Sequence, residues 1–422
     1  MSATDPTPTL DTLAVKADFP ILAQTQVGGD GVERPLVFLD SAASSQRPRQ
    51  VIEAMDEIYI HSYANVHRGV YQLAERATRA YEDARAKVAR FINAPSADEV
   101  IFTKNATEAL NLVAQSWGRA NLGPGDAVLI SLMEHHANIV PWQMLAAEKG
   151  FEIRWIPVTD DGHLDLADLD RLLDGVKMLA VTSMSNVLGT LTPIDQLVAA
   201  ARAVGAAVCV DACQSVPHLP TDVAAMGADF VAFSGHKMLG PGGVGVLWGR
   251  SELLDAMPPF LGGGGMILNV TTDGFIPEGI PAKFEAGTPP IADAVGLGAA
   301  VDYLEALGMD AVRQHEVELT GYAMRTLTEA LGDDITIYGP SEPAARGGVL
   351  SLALREVHAH DISQILDEHA VCIRPGHHCA KPLMRRYEVS ATARASFYVY
   401  NDESDVDALA DALVHARDFF AL

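Results

Sequence analysis

Two hydrophobic patterns alternate along the chain. Between residues 71 and 92 (YQLAERATRAYEDARAKVARFI), apolar and small residues return to one face at helical spacing. Unbroken apolar runs bounded by glycine or polar residues then take over: AVLIS at 127–131, MLAVTS at 178–183, AAVCVDA at 206–212, DFVAFSG at 229–235 and GVGVLW at 243–248. Runs without alternation suit strands buried on both faces. Interleaved with helical stretches such as IDQLVAAARAVG at 194–205, they predict a mainly parallel sheet covered by helices on both sides, an α/β fold.

After about residue 300 the pattern becomes α+β: strands GVLSLAL and AVCIRPG, a helix DISQILDEH, a strand ASFYVY and a closing helix capped near Asn401 or Asp402. Val406, Leu409, Leu413 and Phe420 form an apolar stripe on that helix, a core face. The first 17 or so residues are rich in Thr and Pro without periodicity and are expected to form a loose arm before Asp18-Phe19-Pro20.

Composition narrows the class. With 422 residues, 49% of them hydrophobic, the chain is too long for one simple core and suits two packed domains. A net charge of −25 would repel a nucleic-acid backbone and leaves no polybasic surface for a membrane. No run approaches the ~20 apolar residues of a membrane span. The opening MSATDPTPTLDTLAVKADFP lacks the basic and apolar regions of a signal peptide, so a cytoplasmic location is expected. Four cysteines are too few for a disulfide scaffold and should be thiols there.

Ligands of open parallel sheets gather beyond the carboxyl ends of the strands. Three predicted strands end there in chemistry: Ser131 running on to Glu134-His135-His136, Asp211 in VCVDACQ, and Ser234-Gly235-His236-Lys237. A single lysine at such a place is as well explained by a solvated surface charge. With these neighbours it reads differently, because a partly desolvated amine can condense with an aldehyde, the Schiff-base chemistry of pyridoxal phosphate. Asp211 can pair with the protonated ring nitrogen, His135 can stack on the ring and Gln214 can reach the phenolic oxygen. Taken singly, His135 would serve as a surface or interface histidine and Asp211 as a strand-end cap. Lys104-Asn105-Ala106-Thr107-Glu108 follows the strand EVIF and opens a helix, whose N-terminal N–H groups suit an anion. With Ser234 and His236 it forms a candidate phosphate cup.

A second cluster is RPGHHCAKP at 374–382. His377, His378 and Cys379 are metal-ligand types, but three consecutive residues do not readily face one ion and no second Cys/His pair stands nearby in sequence, so no metal is expected. A nucleophilic Cys379 thiol on a glycine-containing loop fits better. Cys209 and Cys372 read as core, and Cys213 lies near the presumed cofactor floor. Arg374 and Arg394 can grip a substrate carboxylate through two hydrogen bonds, although either could be a surface ion-pair residue.

Motifs spread over nearly the whole chain carry a family resemblance: LDSAASSQRP, YANVHRGVYQL, MEHHANIVPWQ, SNVLGT, VDACQ, SGHKMLGPGGVGVLW, GGGGMI, FEAGTPP, RPGHHCAKPLM and ARASFYVYN. The chain resembles class V, fold-type I pyridoxal-phosphate enzymes, most closely the SufS-type (group II) cysteine desulfurases. The resemblance implies a large domain (35–300) with a mainly parallel seven-stranded sheet, a small α+β domain (301–422) carrying the cysteine loop, and an N-terminal arm (1–34) packing with the small domain. It implies Lys237 as the Schiff-base lysine, Asp211, His135 and Gln214 around the ring, and Ala106, Thr107, Ser234 and His236 at the phosphate, joined by Thr288 from the partner subunit of a homodimer. Asn186 and Arg394 would hold the substrate carboxylate with Arg374 nearby, and His67 and Arg68 would be an additional active-site pair. One departure is Ala212-Cys213-Gln214 where the family pattern has Gly-Ala-Gln.

The implied reaction removes sulfur from L-cysteine: Lys237 takes the α-proton, Cys379 attacks the substrate sulfur, and alanine leaves behind a Cys379 persulfide. The sulfur would pass to an acceptor protein of the SufE or SufU type, and possibly on to a SufBCD-like scaffold, for iron-sulfur cluster assembly. The alternative activity is selenocysteine lyase.

Overall fold

In the computed structural model of the chain, residues 10–420 are described. A seven-stranded sheet lies at its centre, with a four-stranded antiparallel sheet built by the C-terminal part. Numbered in chain order, the strands of the central sheet are β1 (Val100–Thr103), β2 (Ala127–Ser131), β3 (Glu152–Ile156), β4 (Val176–Thr182), β5 (Ala207–Asp211), β6 (Phe230–Ser234) and β7 (Gly245–Gly249). Those of the smaller sheet are β8 (Ile335–Tyr338), β9 (Val349–Leu354), β10 (Arg374–Gly376) and β11 (Thr392–Ser396).

The central order is β1-β7-β6-β5-β4-β2-β3, with β7 antiparallel to both neighbours and the remaining pairs parallel. The mainly parallel sheet is the one predicted from the apolar runs, and its seven strands are the number the family resemblance implies. Helices on both faces explain the unbroken apolar strands: every residue of β1, β2, β6 and β7 is buried. The edge strand β3, EIRWI, is half exposed and interrupted by charges, which hid it from a search for apolar runs. The smaller sheet runs β8-β9-β11-β10 and packs Leu350 and Leu352 against Ile362, Leu366, Leu409 and Leu413.

Four local expectations change. Residues 1–9 of the expected arm lie outside the described residues, but Thr12–Ala17 is a helix. Asp11 caps it by accepting from the Ala14 N–H, Val15 is buried, and Lys16 pairs with Asp405 at 2.8 Å. AVCIRPG divides: Val371–Cys372 pairs in parallel with Val37–Phe38, whereas Arg374–Gly376 joins the smaller sheet. The strand expected at ASFYVY ends at Ser396, and Phe397–Tyr400 leave the ladder while staying buried. On the closing helix, Glu403–Phe420, Val406, Leu409 and Leu413 are buried as expected but Phe420 is exposed.

Among the described residues, no helix is long and apolar enough to cross a membrane.

Candidate active site

The loops that leave β2, β4, β5 and β6, the helix after β1 and the loop after β10 surround one cavity of about 550 Å³. The turn Gly235–Lys237 brings Lys237 to its wall. That turn is held by its backbone: Gly235 N donates to Val244 O, and the His236 carbonyl accepts from Ser45. Lys237 has no ion-pair partner among the described residues, so its amine is available to the cavity.

At one end the helix Ala106–Leu112 points its first turn into the cavity. Asn105 caps it, accepting from Glu108 N at 3.0 Å, and Ser234 Oγ accepts from Ala106 N at 2.9 Å. Thr107 is exposed at the rim, and His236 lines the same end. Gly245 on β7 lets this turn come close, because a Cβ there would lie 2.5 Å from the Asn105 backbone. Gly245→Ala should therefore push the turn outward at an overpacking cost on the order of 1–3 kcal/mol. The expected result is a roughly 5- to 150-fold weaker pyridoxal-phosphate affinity, read by titrating cofactor into cofactor-free protein.

Asp211, at the end of β5, is buried and accepts from Cys213 N at 3.0 Å. Gln214 donates to the Ala42 carbonyl at 2.8 Å. His135 Nδ1 accepts from Ala137 N at 3.0 Å, which places the ring proton on Nε2 in the neutral form. Burial, then the Lys237 charge, lowers His135 to about 4. Burial lowers His236 to about 4 and His378 to about 3. Each ring stays neutral in the folded chain down to its lowered value but takes a proton near the ordinary 6.5 once unfolded. Stability from these rings is full above pH 6.5 and is lost as pH falls toward 4. Thermal unfolding of cofactor-free protein should show a lower midpoint at pH 5 than at pH 7, with a loss on the order of 1 kcal/mol per ring.

Beneath the His135 turn lies Glu134, fully buried and raised to about 7 by that burial. Its carboxyl accepts from Ser131 Oγ at 2.5 Å and Asn138 Nδ2 at 2.8 Å, tying the turn to the end of β2. Cys213 also lines the cavity, its Sγ 3.9 Å from Ser234 Oγ, and burial pushes its thiol well up, so it stays protonated. Cys209 is core as expected, while Cys372 is only half-buried.

Cys379 is exposed on the cavity rim. His378 and Cys379 both have positive φ, 49° and 55°, a bend that non-glycine residues take only when their surroundings enforce it. The anchors are specific: His136 N donates to Cys379 O at 2.7 Å, Lys381 N to His136 Nε2 at 3.0 Å, and Asn186 Nδ2 to His378 O at 2.7 Å. Cys379 N in turn donates to His377 Nδ1 at 3.1 Å. The loop is thus fastened to the segment that presents His135.

Two guanidiniums border the cavity beside this loop. Arg394 is fully buried, donates from Nη1 to the Asn186 carbonyl at 2.7 Å, and leaves Nε without a partner among the described residues. Arg374 lies at the strand that enters the Cys379 loop. Arg394 lines the cavity, and beyond the bonds it makes each of its terminal nitrogens carries a second N–H, the kind of donor that a small carboxylate needs.

The Aminotransferase class-V family profile matches residues 37–409. The chain belongs to the class V aminotransferase family. Among curated class V relatives, a "Probable cysteine desulfurase" of Streptomyces coelicolor is 52% identical over 97% of this chain and 98% of its own length. A "Cysteine desulfurase" of Haloferax volcanii is 50% identical over 98% of each chain. The solved apo structure of a cysteine desulfurase from Thermococcus onnurineus NA1 superposes with a TM-score of 0.91 at 38% identity, covering 99% of this chain and all of that one. Pyridoxal phosphate is the cofactor of this class V fold, and the cup at Ala106, Ser234 and Gly245 together with the unpaired Lys237 fits it.

The class V site contains most of the residues singled out from the sequence, but three lie apart. His67 pairs with Glu82 at 2.8 Å, Arg68 is exposed, and Thr288 is exposed on the loop before the helix Ile291–Leu307. None of the three lines the cavity of the single chain. Asp40, which contacts both arginines, was not singled out, although it ends the apolar run Val37–Leu39 just as Asp211 ends its own strand.

Proposed function

We propose that this chain is a cysteine desulfurase in which Lys237 carries pyridoxal phosphate and Cys379 receives the sulfur of L-cysteine as a persulfide, with alanine released. The observation that carries the reading is that Lys237 and Cys379 line one cavity. When bound, pyridoxal phosphate supplies an electron sink that makes the substrate's Cα–H acidic. Lys237 Nζ then moves the Cα proton, and the Asp211 carboxylate holds the proton on the ring nitrogen. His135, in its Nε2–H form, would stack on the ring, Gln214 would serve the phenolic oxygen, and the first turn at Ala106 and Thr107 would hold the phosphate with Ser234 and His236. Arg394, Arg374 and Asn186 fix the substrate carboxylate. Cys379 Sγ attacks the substrate sulfur, so the S–S bond forms as the Cβ–S bond breaks.

The anchored loop also bears on where the sulfur goes. A Cys379 loop fastened to His136 and Asn186 cannot carry its persulfide far, so an acceptor protein of the SufE or SufU type must come to the rim, for onward use in iron-sulfur cluster assembly by a SufBCD-like scaffold in the cytoplasm. Thr288 would join the phosphate site from the partner subunit of a homodimer, and His67 and Arg68 would be an additional active-site pair. The acceptor is tested by adding each type of protein under multiple turnover. The right one raises alanine formation severalfold without changing the single-turnover yield; if neither does, this route for the sulfur is wrong.

A further inference from the structure

Asp40 lies between the two arginines of the cavity. Arg374 donates from Nε to both carboxylate oxygens, at 3.1 and 3.2 Å, and from Nη2 to Oδ2 at 2.8 Å. Arg394 Nη2 reaches Oδ1 at 3.4 Å. Among the described residues no other carboxylate pairs with either guanidinium. The Asp40 side chain is 15% exposed, and that of Arg394 only 2%.

The segment around Asp40 is fixed from several sides. Asp40 bridges to Ser396 on β11, Ala42 N donates to Ser396 Oγ at 2.9 Å, and the Ala42 carbonyl accepts from Gln214. Asp40 is therefore a rigidly mounted anion facing two cations that would otherwise repel each other. Nη1 on Asn186 and Nη2 on Asp40 hold the Arg394 guanidinium at both of its terminal nitrogens, and each of these keeps a second N–H for a ligand. Arg374, with Nε and Nη2 on Asp40, keeps Nη1.

We propose that Asp40 is a positioning residue that orients Arg394 and Arg374 as a preformed pair of donors, and so sets the selectivity of the site for amines bearing an α-carboxylate. Preorganised donors bind without a further ordering cost, and only a ligand with a carboxylate benefits. The inference rests on the assignment of these two arginines to the substrate carboxylate.

The test uses holoenzyme titrated with L-alanine and with ethylamine, which share the amine and differ by the carboxylate, followed by the change in the visible spectrum. Asp40→Asn is expected to weaken L-alanine at least about tenfold while ethylamine stays within about twofold, and Arg394→Lys is expected to do the same. If Arg394→Lys discriminates between the two amines and Asp40→Asn does not, the role of Asp40 is overturned while the carboxylate assignment stands. If neither variant discriminates, the carboxylate assignment itself fails. Equal weakening of both amines in Asp40→Asn makes Asp40 merely structural and also overturns the proposal. Should Asp40→Asn not give folded holoenzyme, Asp40→Glu carries the test, because displacing the charge by one methylene should still weaken L-alanine selectively; an unchanged L-alanine affinity would overturn it.

Discussion

Lys237→Ala is expected to abolish turnover and leave a protein that no longer shows the visible band of a lysine-bound cofactor. Two losses combine. The amine that holds the cofactor covalently is gone, and so is the group that moves the Cα proton, a step worth on the order of 10²–10⁴ in rate by itself. The fold should survive. The turn that presents Lys237 is held by backbone bonds from Gly235 and to the His236 carbonyl, which alanine at 237 leaves in place. The checks are alanine release from L-cysteine, the absorption spectrum after adding excess cofactor, and circular dichroism. A Lys237→Ala protein with wild-type spectrum and rate would mean that another amine holds the cofactor.

Cys379→Ala is expected to separate cofactor chemistry from sulfur removal. Cys379 is exposed and its backbone, not its thiol, fastens the loop to His136, so the change should shift stability by no more than about 0.5 kcal/mol. The cofactor band should be retained, and L-cysteine should still perturb it on binding. Alanine formation should fall at least about a hundredfold even with reductant present, because the nucleophile that takes the sulfur is missing. With L-selenocysteine the loss should be smaller, since the softer, more acidic chalcogen leaves without a thiol. Full alanine output from L-cysteine in this variant would remove the thiol from the reaction.

The parts legible in the sequence were those where one physical cause dominates. β2, β5 and β6 are buried on both faces, so their apolar runs mark them almost to the residue, and the chemistry follows from what ends them: Glu134-His135, Asp211 and Ser234 through Lys237. The rest depended on long-range contacts. β3 alternates charged and apolar residues because it is an edge left partly exposed, unlike the buried edge β1, and Thr12–Ala17 is helical because Asp11 caps it and Lys16 meets Asp405, almost four hundred residues away. Phe397–Tyr400 are as apolar as a strand, yet their burial comes from packing rather than pairing; the Tyr400 hydroxyl, for example, bonds Ser41 at 2.7 Å. Asp40 shows the same limit at the site. Its carboxylate matters through Arg374 and Arg394, and no local pattern reveals that three distant segments meet there. His67, Arg68 and Thr288 could be named from motifs, but the single chain gives them no place at the cavity.

The central claim is that Cys379 takes the substrate sulfur, and the most direct measurement is the site of sulfur after a single turnover. Holoenzyme given one equivalent of L-cysteine without reductant, alkylated and digested, is examined by peptide mass spectrometry. The peptide carrying Cys379 should gain one sulfur atom in proportion to the alanine released, while those carrying Cys209, Cys213 and Cys372 gain none. Sulfur found on Cys213, or alanine released with no sulfur on Cys379, would contradict the account.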